Sequence, residues 1–275
     1  MAGEGPQRAT ERRLPKRPRF ASPPIIELVL SVGFQPLPIN VVQLGDIWKT
    51  FRDRFPKVEQ KPPYNMPMEV FGQQPARPSV SLELVESSPL PRLWFVDAAG
   101  AQLIQVQNDW FARNWRRVDG TDGYPQYPAL SDAFVDDLMR FRAHVRDHGL
   151  SIVPTQCEVT YIDHIDLPEE GGLGSVLSVL SARAEDFGLR PEGQALATDY
   201  LLEQDAAPVG RLHVTANTAL RHADGKSIVV LNITARGVPL GESLDGVVAF
   251  QDWGREWAWT AFTSIIREEV QQSWR

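Results

Sequence analysis

The stretch Gln102–Pro128, QLIQVQNDWFARNWRRVDGTDGYPQYP, starts as an alternation and ends in turn residues. In an extended chain Ile104 and Val106 share one side while Gln105 and Gln107 share the other. That pattern predicts a sheet with one packed apolar face and one exposed polar face. Trp110, Arg113, Trp115, Arg116 and Arg117 follow, and then Tyr124 and Tyr127 in a connector rich in Gly and Pro. The strand is expected to end in a tryptophan-anchored turn, and the connector to lead into a helix.

Outward from there the pattern stays regular. PPIIELVLSVGFQPLP from Pro23 reads as a first strand, closed by Pro36 and Pro38. In NVVQLGDIWKTFRDRFP, Leu44, Ile47, Trp48, Phe51 and Phe55 recur on one helical face, and Pro56 ends it. SVSLELVE, RLWFVD and AQLIQVQ read as strands, with a hairpin turn at DAAG. ALSDAFVDDLMRFRAHVRDHG is the clearest helix of the first half, with Phe134, Leu138, Phe141 and Val145 as its stripe and Gly149 as its cap.

The order then starts again. TQCEVTYIDHIDLP reads as a strand, GSVLSVLSARAEDFG as a short helix, and ALATDYLLEQ, GRLHVTANTALR and KSIVVLNITARG as strands. A long helix closes the chain from about Leu244 to Trp274, with Trp259, Phe262, Ile266 and Val270 on its core face. Residues 23–150 and 151–275 each read β-α-β-β-β-α, with echoes such as RLWF at Arg92 beside RLHV at Arg211. The expected fold class is α+β, with duplicated halves forming a curved antiparallel sheet and helices on one face. Saddle-like and helix-grip-like arrangements both fit.

Composition limits the function classes. The 275 residues are 43% hydrophobic and 23% charged, as in ordinary globular chains. One cysteine, Cys157, excludes an intrachain disulfide framework and a cysteine zinc site, and fits a cytoplasmic location. The apolar runs are strand-length, so no membrane association is expected. Residues 1–22 read as a basic, disordered leader: six Lys/Arg before Phe20 face Glu4 and Glu11, a local +4 that leaves −11 for the rest. An acidic body disfavours nonspecific nucleic-acid binding, in which phosphate attraction dominates.

The candidate sites are few. Gln105, Gln107, Trp110, Arg113, Trp115, Arg116 and Arg117 could form a stacking, cationic surface for single-stranded nucleic acid, with Tyr124 and Tyr127 as a binding loop. Their plainer role is packing, with the arginines paired to Asp109, Asp119 or Asp122. Glu27 and Glu158 lie on the two opening strands and would approach a common axis, as a pair of acids or as plain outward residues. Asp163, His164, Asp166 and His213 are the best metal-like set. In a strand, however, Asp163 and His164 face opposite ways, so no local chelate forms and no metal or other cofactor is expected. Cys157 is expected to be a small core residue. EEGGLGS reads as a turn with Ser175 as a helix cap. No catalytic residue is assigned.

Several phrases taken together resemble a family: PPIIELVLSVGFQPLP, IWKTFRDRFP, RLWFVDAAGAQLIQVQNDWFARNWRR, YPQYPALSDAF and QCEVTYIDHI. The chain resembles the sporadically distributed prokaryotic family of unknown function, over about residues 23–165. The resemblance implies a soluble prokaryotic protein with no assigned activity or catalytic residue, and its patchy distribution suits defence-associated cargo. The leading functional expectation is a non-enzymatic interaction protein that binds a protein partner or itself, as an accessory of a defence or toxin–antitoxin-like locus. The alternatives are nucleic-acid or nucleotide binding through the polar sheet face, and a small-ligand pocket or enzyme between the sheet and the long helix.

Overall fold

The structure, a computed structural model, describes residues 20–72, 89–119, 123–168, 171–180, 191–241 and 243–275. The expected strand SVSLELVE, the leader up to Arg19 and most of the helix expected after Ser175 lie outside the described residues.

In chain order the elements are β1 (Ile25–Phe34), α1 (Val41–Ile47), a 3-10 turn (Trp48–Thr50), β2 (Lys57–Lys61), β3 (Arg92–Val96), β4 (Gln102–Gln107), β5 (Trp110–Arg116) and α2 (Tyr127–Asp147). Then come β6 (Pro154–Asp166), α3 (Leu173–Val176), β7 (Ala195–Gln204), β8 (Ala207–Leu220), β9 (Ser227–Gly237), α4 (Leu244–Ile265) and α5 (Glu268–Gln272). The nine strands form one open antiparallel sheet in the order β2-β3-β4-β5-β1-β6-β9-β8-β7. The opening strands β1 and β6 lie side by side at its centre.

The register assigns every strand residue to a face. Leu28, Leu30, Val32 and Phe34 of β1 point the same way as Phe111 and Trp115 of β5 and as Cys157 and Val159 of β6. The helices cover this face. Phe111 meets Phe134 and Phe141 of α2, and Phe34 also meets Phe141. Phe51, just after the 3-10 turn, stacks on Phe95 of β3. Helix α4 seats closely on β6 and β9 because position 254 is Gly. A Cβ there would come 2.8 Å from the Ala235 Cβ and 3.2 Å from Val159 Cγ1. Cys157 is buried in this core, as expected.

Three sequence expectations change. Trp110–Arg116 is a strand, not a turn: Asn108 and Asp109 close a hairpin between β4 and β5. Its alternation was hidden because both sides mix aromatic and polar residues. The helix after β1 is short. It opens with a capping box, in which Asn40 accepts from the Val42 and Gln43 amides and Gln43 accepts from the Asn40 amide. It then unwinds so that Lys57–Lys61 can pair with β3 as the edge strand. Leu44, Ile47, Phe51 and Phe55 are still buried together. The expected long C-terminal helix breaks at Ile266, where an extended residue bridges to Leu177 and the Arg267 amide donates to Val176 O.

Candidate functional site

On β6 the helix-facing positions are Cys157, Val159, Tyr161, Asp163 and Ile165. Asp163 is the acid in that stripe. It is 2% exposed, and among the described residues its Oδ2 has no hydrogen-bond partner. Unpartnered buried polar atoms are rare and call for an explanation. Opposite Asp163 the β1–β6 pairing slips between Ile25 and Glu27, which loosens the ladder at that point. Burial pushes the Asp163 carboxyl up to about 7, against the opposing pull of the Arg117 guanidinium.

Asp163 forms part of the wall of a cavity of about 90 Å³ between the sheet, the start of α2 and the middle of α4. Tyr124, Tyr127, Tyr161, Arg255 and Trp259 also line it, beside apolar residues such as Ile25 and Phe262. The Arg255 guanidinium lies over the Tyr127 ring, 4.7 Å from its centroid. Tyr127 Oη donates to Asp252 Oδ1 at 2.8 Å. Burial raises the phenols of Tyr124, to about 12, and of Tyr127, so both stay neutral donors. Gln126, also in the wall, has φ 70 and ψ 151. That region is essentially reserved for glycine, so the backbone is strained by about 1–3 kcal/mol in the cavity wall. The YPQYP connector is therefore the turn that shapes this cavity, with Tyr124 packed on Trp115 at 5.3 Å.

The opposite face of the sheet is polar, but it is not open. The segment from Pro62 to Gly72 crosses it as a strap. Gln107 Oε1 accepts from the Tyr64 amide at 2.8 Å and its Nε2 donates to Tyr64 O at 3.2 Å. Gln156 repeats the arrangement with the Glu69 amide and Pro67 O, each at 2.8 Å. Glu69 is bound by Arg211, lies 2.7 Å from His213 Nε2 and 3.6 Å from Arg236. Gly33 leaves room for the strap, since a Cβ there would lie 2.8 Å from Met66 Sδ.

The strap's charges set its pH window. Burial opposes the charge on Glu69, but hydrogen bonds from His213 and Arg211 outweigh it and lower its pKa. Burial likewise opposes the charge on His213, but Glu69 and Asp199 outweigh it and raise its pKa. The His213 contribution is complete below pH 6.5 and is lost as pH rises through the raised value; the Glu69 contribution is lost only in acid. Glu69→Ala is expected to cost about 1–3 kcal/mol. It should also speed chymotrypsin cleavage after Tyr64 and Phe71, and wild type should be cut faster at pH 9 than at pH 6. Equal cleavage of both proteins at both pH values would show that these ion pairs do not hold the strap.

The residues singled out in sequence are dispersed. Gln105 and Gln107 were expected on an exposed face. They do lie on the polar face, but each is only 4% exposed, covered by the strap and by Arg92 and Asn114. Trp110 is buried on the same face against Tyr64 at 4.9 Å. The arginines do not form one cationic surface, because strand alternation separates them. Arg113 turns to the helix face and pairs with Asp137, Arg116 donates from the polar face to Gly100 O at 2.6 Å, and Arg117 donates to Pro23 O at 2.8 Å. None pairs with Asp109 or Asp119, and Asp122 lies outside the described residues. Glu27 and Glu158 share the polar face but not a site. Ser31 sits opposite Glu158, so the two acids are four residues apart along β1, about 13 Å. Glu27 accepts from Asn114 at 2.6 Å and Glu158 from Arg236 at 2.6 Å.

Arg255 and Glu69 were not singled out in sequence, and Asp163 was weighed only within a metal-like set. Asp163 was visible as an acid on the inward parity of an apolar strand. Arg255 and Glu69 carry no such signal, since their partners are over a hundred residues away. No protein-family model matches the chain, and no curated protein matches it significantly.

Proposed function

We propose that this chain is a non-enzymatic binding protein whose working site is the cavity beside Asp163. Its ligand is a small molecule bearing a protonated amine. One observation carries this reading: a fully buried carboxylate, with one oxygen unpartnered, facing a cavity walled by aromatic rings. An ammonium group would satisfy that oxygen and gain from the ring faces around it. The cavity is smaller than the roughly 300–1,000 Å³ of drug-sized pockets, so the occupant has only a few non-hydrogen atoms. Arg255 at the rim suits a second, anionic or carbonyl end. The strap and the paired arginines beneath it speak against nucleic acid as the ligand of the polar face.

The same reading takes the two halves as an internal duplication that places the cavity at their junction. In its support, β5-β4-β3 and β9-β8-β7 are laid out in the same order on either side of β1 and β6. A long helix then follows each set, α2 after β5 and α4 after β9.

An NMR titration of the labelled protein with ethylammonium at pH 8, with ethanol as the uncharged control, tests the ligand chemistry. Three heavy atoms at a ceiling of about 1.5 kcal/mol each give a dissociation constant of roughly 1 mM. Saturable shifts at Tyr124, Tyr161 and Asp163 are expected for the amine alone, and Asp163→Asn should remove them. Equal response to ethanol, or an unchanged response in the variant, would sink the proposal.

A further inference from the structure

At the far end of α2, remote from the cavity, two histidines one turn apart face the last turn of α1. His144 and His148 sit at i and i+4, so their rings share one side of the helix, with centroids 4.5 Å apart. Asp46 of α1 completes the group. One ligand atom from each of Asp46, His144 and His148 lies within 4.8 Å of the others.

The ring nitrogens are already sorted. His148 Nδ1 is 2.8 Å from the His144 carbonyl, which can only accept. The proton is therefore on Nδ1, and the Nε2 lone pair is free. His144 Nδ1 lies 3.4 Å from Thr50 Oγ1, and its Nε2 lies 3.9 Å from Asp46 Oδ2. Metal-bound histidines are oriented in this way, with one nitrogen held by an outer partner and the other facing the ion. Lys49 pairs with Asp46 at 2.5 Å and would have to release it.

We propose that Asp46, His144 and His148 form a binding site for a divalent first-row transition ion, with Zn²⁺ as the reference occupant. Two imidazoles and one carboxylate exclude Mg²⁺ and Ca²⁺ as preferred occupants, since those ions require oxygen donors. Zinc bonds of about 2.0–2.2 Å need the donors closer together than they stand. Rotation of the exposed His148 ring and the Asp46 carboxylate supplies that movement without shifting either helix. Three protein ligands leave a fourth position for water or an external group. The ion pins α1 to the C-terminal turn of α2, so the site is a clamp between the two, independent of the ligand cavity.

Isothermal titration calorimetry of the full chain with ZnCl₂ at pH 7.5 is the test, with MgCl₂ as control. One saturable Zn²⁺ per chain and no Mg²⁺ binding are expected. His148→Ala and Asp46→Asn should each weaken Zn²⁺ by more than ~10-fold, while His164→Ala and His222→Ala leave it unchanged. His148 is exposed, so its replacement does not threaten folding. Absence of stoichiometric binding to wild type, or wild-type affinity in His148→Ala, would overturn the site.

Discussion

Asp163→Asn is expected to stabilise the folded chain by up to about 4 kcal/mol at pH 8 and to change it little at pH 4. In the unfolded chain the carboxyl titrates near its ordinary value of 3.8, and in the folded chain near 7. The folded state thus holds a proton that the unfolded state has already lost between those values, so stability falls as pH rises from about 4 to about 7. The gap, at about 1.4 kcal/mol per pH unit, amounts to about 4 kcal/mol above pH 7. An amide cannot ionise, so the variant avoids that cost, less whatever its own buried dipole forfeits. Urea unfolding of both proteins across pH 4–8 reads the effect. Curves that stay parallel would show that Asp163 ionises normally. A destabilising acid in a core stripe suits the binding role proposed for Asp163, since functional sites trade stability for activity.

Asp137→Ala is expected to destabilise the chain by about 3–5 kcal/mol, the usual loss when one member of a buried ion pair is removed. Asp137 of α2 is fully buried and bound by Arg113 and Arg54. Without it, among the described residues, Arg113 keeps only Gln102 as a side-chain hydrogen-bond partner in a buried setting. Arg113→Ala should cost less, since Arg54 still meets the carboxylate. The double replacement Arg113→Met with Asp137→Leu should recover most of the loss, because matched apolar residues avoid desolvating two charges. A loss below about 1 kcal/mol in Asp137→Ala would put the pair in the class of surface bridges. None of these changes should alter amine binding, because Arg113 has no part in the cavity wall.

Much of the architecture was legible because strand and helix periods differ sharply. The opening strands, the β7–β9 meander and the stripe of α2 all carried their own signal. Strand β2 did not: its KVEQK sequence lies on the sheet edge and carries a single apolar residue, too little for an alternation to show. Nor could sequence reveal that β1 and β6 pair into one sheet, since that contact joins residues about 130 positions apart. The polar face was read correctly from Gln105 and Gln107. Its covering was not, because nothing in PPYNMPMEVFG marks it as a strap. The tyrosines of YPQYP were expected in a binding loop, and they share a cavity wall with Asp163, an acid weighed in sequence only as one of a metal-like set. His144 and His148 were passed over because their third ligand lies on another helix.

The most direct test of the cavity reading is the titration of the Asp163 carboxyl by ¹³C NMR, with and without ethylammonium. A cation that binds the ionised form must lower the apparent pKa. Free protein should titrate near 7, and a saturating amine should move the midpoint well down toward the ordinary carboxylate range. A midpoint near 7 that the amine leaves in place would contradict the assignment of Asp163 as the ligand's anchor.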